Sequence, residues 1–260
     1  MTQTSIQFPI FGDMRVLGSV LIIIWRVWFY VLMAVPILLF LPFLLLFTSS
    51  RIFYPQFFFV ARLWAVTILY GMGFFPQIVW EERLKKNQSY VLVANHTSMT
   101  DIMLMLWIVK RPFVFVGKQE LARIPLFGYF YKRTCILVDR RNQKSRKMVF
   151  DQAERILNKG ISVCIFPEGG VPEDQDLVLD EFKDGAFRMA IDYQIPIVPL
   201  VFYDNKKRFP YVFLKGSPGR MRARVKPFIT TEGLSYQDKK ALREQTREVI
   251  LGELEKRDHD

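Results

Sequence analysis

The chain has 260 residues, 51% of them hydrophobic and 15% aromatic, with 24 Phe and a mean hydropathy of +0.14. That composition excludes a disordered chain, and its two cysteines, Cys135 and Cys164, cannot build a disulfide framework. With 36 basic and 25 acidic side chains the net charge is +11, which suits acidic partners: nucleic acid, anionic lipid or an acidic carrier.

The charge is unevenly spread. Residues 1–80 carry only Asp13, Arg15, Arg26, Arg51 and Arg62, whereas residues 81–260 hold 32 basic and 24 acidic side chains. Val27–Ser50 is a run of 24 residues without a charge, and ~20 apolar residues span a bilayer core. Pro36 and Pro42 would kink or divide a helix there. A second apolar stretch, Ile52–Trp80, is interrupted only by Arg62. Trp25, Trp28, Tyr30, Tyr54, Trp64, Tyr70 and Trp80 are spread through the region, as interfacial aromatics are. The expectation is a helical membrane anchor over 1–80, either a transmembrane hairpin or a pair of helices dipping into one leaflet.

Glu81–Ser89 reads as a polar linker. Strand-like runs follow at Tyr90–Ala94, Phe113–Gly117, Thr134–Val138, Ser162–Phe166, Ile197–Tyr203, Tyr211–Leu214 and Arg222–Ile229. Helical patterns lie between several of them, at Asp101–Val109 and Lys144–Asn158. The tail from Ser235 reads as a helix, with Ser235 and Asp238 in capping-box positions. Strands alternating with helices predict an α/β domain over 81–260.

Two strand ends carry the chemistry. Asn95-His96-Thr97-Ser98-Met99-Thr100-Asp101 follows Val91–Ala94 and holds one of only two histidines, the other being His259. A turn after the strand would fold the Asp101 carboxylate back onto the His96 imidazole, fixing its tautomer and freeing the other nitrogen to take a proton. The alternative is local: Ser98 as a helix cap, Asp101 as its capping partner and His96 as a polar loop residue. No serine elbow or Cys–His pair offers a protein nucleophile, so a base here would activate a substrate hydroxyl. The second strand end is Phe166-Pro167-Glu168-Gly169-Gly170. There Gly169 and Gly170 permit close backbone approach to a ligand, and Glu168 either orders the loop or binds substrate hydroxyls.

Asn95–Asp101 resembles the first motif, Asn-His-x-x-x-x-Asp, of the glycerolipid acyltransferases, with the lysophosphatidate acyltransferases the nearest type. Phe166–Gly169 resembles their Phe-Pro-Glu-Gly motif. Between them, Gly117-Lys118, Pro125-Leu126-Phe127-Gly128 and Val138-Asp139-Arg140 resemble the second motif, and Ile195–Leu200 resembles the fourth. Four motifs in order cover roughly residues 81–205. The resemblance implies a mixed sheet flanked by helices behind a two-helix membrane segment. It implies acyl transfer from a thioester, acyl-CoA or acyl carrier protein, to the free hydroxyl of a lysophospholipid, with 1-acyl-glycerol 3-phosphate giving phosphatidate. His96 would be the base and Asp101 its orienting carboxylate.

One motif departs from the family. Thr-Arg-Ser usually follows Glu-Gly, but here the chain reads Gly170-Val171-Pro172-Glu173. The arginine often assigned to the substrate phosphate is missing, leaving Arg140, Lys118 or Lys183 as substitutes. Lys118, Arg140, Glu168, Gly169, Gly170 and Lys183 are therefore the expected substrate-binding residues. The departure keeps open another acceptor, a lyso-ornithine lipid or glycerol 3-phosphate; a non-catalytic lipid-binding protein is the other alternative. No metal and no cofactor beyond the co-substrate are expected, and no nucleic acid. The basic globular part is expected on the cytoplasmic side of the cell membrane, near anionic headgroups.

Overall fold

A computed structural model describes residues 10–139, 142–172, 174 and 176–256. Arg140, Arg141 and Glu173, and also His259, lie outside the described residues. The chain opens with helix α1 (Ile10–Leu39), which contains Pro36 and is followed at once by α2 (Leu41–Ser49) with Pro42 in its first turn. Proline is tolerated there because the first helical N–H groups have no intrahelical acceptor. A short 3₁₀ turn then leads into α3 (Tyr54–Gly71).

Seven strands form one sheet: β1 (Phe74–Trp80), β2 (Val91–Ala94), β3 (Phe113–Lys118), β4 (Ile136–Val138), β5 (Ser162–Ile165), β6 (Ile197–Phe202) and β7 (Gly219–Val225). Their order is β1-β7-β6-β2-β5-β3-β4. All neighbours run parallel except β6 and β7, which makes the sheet mixed. The helices between and after the strands are α4 (Thr100–Ile108), α5 (Phe127–Thr134), α6 (Gln143–Leu157), α7 (Gly185–Asp192), α8 (Asn205–Arg208) and α9 (Lys239–Lys256). The central strands β2 and β6 are buried along their whole length, which is why they read as unbroken apolar runs.

The two faces of the sheet carry two cores. One packs α6, α7 and α9 through Ala153, Phe187 and Ile250. The other packs α3, α4 and part of α1, with Phe29, Ala65, Ile68, Leu69 and Leu104 fully buried. Each of the larger side chains, Phe29, Ile68, Leu69 and Leu104, contributes about 1.5–3 kcal/mol of burial, so the N-terminal helices are built into the α/β half rather than hung beside it. A boundary at residue 80 does not separate them: β1 lies among residues expected to be anchor, yet it is a sheet strand paired along its length with β7. Its alternation of buried and exposed positions is masked in sequence by aromatic and apolar residues on both faces.

Two other expectations change. Tyr211–Leu214 is not a strand but an irregular loop with all four side chains exposed. The Glu81–Ser89 segment is pinned rather than free. Glu81 pairs with Arg224 and Lys226, and Glu82 accepts the Phe228 N–H. The capping box between Ser235 and Asp238 is present and opens a 3₁₀ turn that leads into α9.

Candidate active site

β2 ends at Ala94, and Asn95 anchors the departing chain. Its side chain accepts from the Phe202 N–H at 2.8 Å and donates to the Phe202 carbonyl at 3.0 Å, so it continues the β2–β6 ladder by one amide. The turn that follows brings Asp101, in the first turn of α4, back to His96: Nδ1 lies 2.8 Å from Asp101 Oδ2. The same oxygen accepts the N–H groups of Thr97 at 2.7 Å and Ser98 at 2.9 Å. The other oxygen accepts from Asn205 Nδ2 at 2.6 Å. Asp101 therefore fixes the turn that precedes α4 and holds the imidazole at once, while α4 itself has Met99 at its N-cap position and no side-chain cap. It is fully buried, and these donors compensate its removal from water.

With Nδ1 on Asp101, the second ring nitrogen of His96 is free of that contact. The ring stacks on Phe166, centroids 4.3 Å apart and planes 19° apart. His96 borders a cavity of about 420 Å³ that runs from the strand ends into the N-terminal helices. Its walls are apolar and aromatic, among them Phe57, Phe58, Trp64, Phe115 and Phe130. An apolar cavity bordered by a carboxylate-held imidazole can bring a hydrocarbon chain and a proton acceptor together.

The expected substrate-binding residues divide. Lys118, Gly169 and Gly170 border the cavity with His96. Gly169 has φ +87°, the left-handed region that glycine enters without strain, and its N–H closes a turn on the Phe166 carbonyl at 3.1 Å. A Cβ on Gly170 would stand 3.1 Å from Lys118 Nζ, so glycine leaves room for that ammonium. Glu168 does not border the cavity. Its Oε1 accepts the His96 N–H at 2.6 Å and its Oε2 the Asp180 N–H at 3.0 Å, which is the geometry of the loop-ordering alternative. Lys183 is exposed, with its N–H on the Pro167 carbonyl, and it too is away from the cavity.

Burial pushes the Glu168 carboxyl up to about 7, against the two backbone N–H groups that favour its ionised form. A carboxyl raised in the folded state takes up protons on folding between its unfolded value and its folded one. Stability contributed by this group is therefore greatest at low pH and is lost as pH rises from about 4.5 to about 7, a change on the order of 3 kcal/mol. Urea unfolding of purified protein across this range should show that slope, and Glu168→Gln should lack it. Parallel curves for the two proteins would mean that Glu168 titrates near the ordinary carboxylate range.

The remaining motifs act through the backbone. A Cβ on Gly128 would lie 2.3 Å from the Ala122 carbonyl oxygen, so the glycine lets the 3₁₀ turn after β3 pack under α5. Ile195–Leu200 supplies β6, a wall of the core rather than a set of side chains for the site. Asn205 reaches Asp101 from 104 residues further along the chain. Its signal in the sequence was only a polar pair, Asp204-Asn205, directly after a strand.

A family model for acyltransferases matches residues 76–203. The 1-acyl-sn-glycerol-3-phosphate acyltransferase alpha of Mus musculus is 30% identical over 201 residues, 74% of this chain and 68% of that protein. The chain belongs to the acyltransferase family. A second relative, the 1-acyl-sn-glycerol-3-phosphate acyltransferase of Borreliella burgdorferi, is 27% identical over 179 residues, 68% of this chain and 71% of the relative. The fold of this acyltransferase is shared with the crystal structure of the 1-acyl-sn-glycerophosphate acyltransferase from Thermotoga maritima. That match has a TM-score of 0.74 at 20% identity and covers 95% of this chain and 98% of the other. Within the acyltransferase, the matched span holds His96, Asp101, Lys118 and Glu168 but stops just short of Asn205.

Proposed function

We propose that this acyltransferase moves a fatty acyl group from a thioester to the free hydroxyl of 1-acyl-glycerol 3-phosphate, giving phosphatidate. The observation that carries the reading is the His96–Asp101 pair, with His96 bordering an apolar cavity that residues of the strand ends and of the N-terminal helices line. The names of the relatives support the same acceptor.

In this reading His96 Nε2 takes the proton from the acceptor hydroxyl as its oxygen attacks the thioester carbonyl. Asp101 holds Nδ1–H and balances the imidazolium charge. Collapse breaks the carbon–sulfur bond, and the departing thiolate receives the proton from His96. Lys118, beside Gly170 at the cavity, either stabilises the oxyanion or meets the acceptor phosphate. Arg140, next to the end of β4 in the chain, is the other candidate for the phosphate. The donor is acyl-CoA or acyl carrier protein.

The N-terminal helices serve as the membrane anchor. Val16–Leu39 and Arg51–Gly71 are both long and apolar enough to cross a bilayer. The packing of α3 against α4 and the sheet supports helices seated in one leaflet. The net positive charge of residues 81–260 is the reason for assigning that part to the cytoplasmic side.

Purified protein offered a thioester donor and a panel of lysolipids tests the reading: turnover of lysophosphatidate in preference to lyso-ornithine lipid and glycerol 3-phosphate is the expected result. Preference for either of the latter would reassign the acceptor, and binding without turnover would remove the enzymatic reading. In the same assay Lys118→Ala separates the two roles of its ammonium. A phosphate contact worth about 1.5–3 kcal/mol raises the KM for lysophosphatidate by roughly 10–100-fold. An oxyanion contact lowers kcat instead.

A further inference from the structure

α1 leaves the body of the protein at Trp25 and Trp28, whose indole N–H groups reach the carbonyls of Met72 and Gly71. Before that point it presents Leu17, Val20, Leu21 and Ile24 to the outside, and Val27, Val31 and Val35 continue this exposed apolar stripe. At the same level stands a charged residue that the anchor does not explain. Arg26 is only 3% exposed. One terminal nitrogen lies 2.7 Å from the Pro210 carbonyl, 3.0 Å from that of Val212 and 2.6 Å from that of Lys215. Its guanidinium also covers the Phe209 ring at 4.3 Å and approaches Phe213 at 5.6 Å. Burying a cation in an apolar helix is costly unless it is paired and hydrogen-bonded. Here the three carbonyls of one loop do the compensating, and the loop is fixed to α1 as a result.

The held loop carries its apolar side chains outward. Tyr211, Phe213 and Leu214 are each about half exposed, at 51, 46 and 52%. The exposed cations Lys207, Lys215 and Arg220 flank them. The base of the same segment touches the site: Asn205 donates to Asp101, the Phe209 carbonyl accepts from Ser98 Oγ at 2.6 Å, and Tyr211 borders the cavity beside His96. Exposed aromatic and aliphatic side chains with exposed cations in the same segment have the chemistry of an anionic bilayer interface.

We propose that Tyr211–Leu214 is a second lipid-inserting element, clamped to α1 by Arg26, which seats the mouth of the active site in the membrane interface. The proposal rests on the reading of α1 as an anchor. It brings the cavity beside His96, which Tyr211 borders, to the level of the bilayer surface.

The test uses the full chain with Cys135 and Cys164 replaced by Ala, carrying a nitrobenzoxadiazole label on Leu214→Cys or, separately, on Leu21→Cys. The probes are vesicles of phosphatidylcholine with and without phosphatidylglycerol. Brightening at both positions, stronger with the anionic lipid, is the expected result. Brightening at Leu21→Cys alone would overturn the loop and leave the α1 anchor standing; a silent label at both would overturn both. Arg26→Gln should weaken the response at Leu214→Cys and spare that at Leu21→Cys, and an unchanged response would remove the clamp. Should the cysteine-free chain fail to fold, Leu214→Asp in the native chain serves instead. It should bind vesicles about tenfold more weakly, the order of factor carried by a half-exposed leucine, with turnover of detergent-dispersed substrate unchanged. Equal vesicle binding would overturn the proposal.

Discussion

Replacing His96 by Ala is expected to lower acyl transfer by ~10²–10⁴-fold, the usual contribution of a positioned general base. The fold should survive the change. The contact between residue 96 and Glu168 is made by the backbone N–H, which alanine retains. Asp101 would still accept from Thr97, Ser98 and Asn205. What is lost is a ring 18% exposed at the edge of a cavity, stacked on one face against Phe166. Steady-state turnover measured beside a thermal melt decides the matter: near-normal turnover by a well-folded His96→Ala protein would end the base mechanism.

Asp101→Asn should also reduce kcat by about 10²–10⁴-fold, equivalent to roughly 3–5 kcal/mol of transition-state stabilisation. The reason is electrostatic. An amide oxygen at the Oδ2 position can still accept from His96, Thr97 and Ser98, but it cannot balance the charge of an imidazolium. The new amide nitrogen would face the Asn205 amide donor. Asn205 Oδ1, however, is buried without a hydrogen-bond partner, so a flip of that amide would receive the new donor. Asp101→Asn should therefore melt close to the native protein. Asp101→Ala, which leaves the buried N–H groups of Thr97 and Ser98 without their acceptor, should lose about 1–3 kcal/mol of stability more. Turnover measured beside a thermal melt separates the two effects, because loss of charge balance lowers kcat in a protein that melts normally while loss of the acceptor lowers the melting temperature. Full activity of a folded Asp101→Asn protein would restrict Asp101 to holding the turn before α4.

Much of this site is local, and local physics is legible in sequence. His96 and Asp101 are five residues apart across one turn. A strand end followed by a helix start leaves few other ways for a carboxylate and two free N–H groups to meet. Strands β2 and β6 announce themselves because burial on both faces demands unbroken apolar runs. Ser235 and Asp238 close their capping box within four residues, so their pairing needs no tertiary partner.

Other features depend on contacts between distant residues, and no short pattern encodes them. β1 carries the same aromatic and aliphatic residues as the helix before it; only its pairing with β7 makes it a strand. Tyr211–Leu214 has strand-like composition but no ladder partner, and its side chains face outward. Glu168 has the residue type of a substrate ligand, and its two long-range N–H partners turn it inward. Asn205 reaches Asp101 from 104 residues away because β6 ends beside β2. Arg26 is one charge in an apolar helix when read along the chain. Three carbonyls 184 to 189 residues further on give it a place, because a buried cation must find acceptors wherever the fold supplies them.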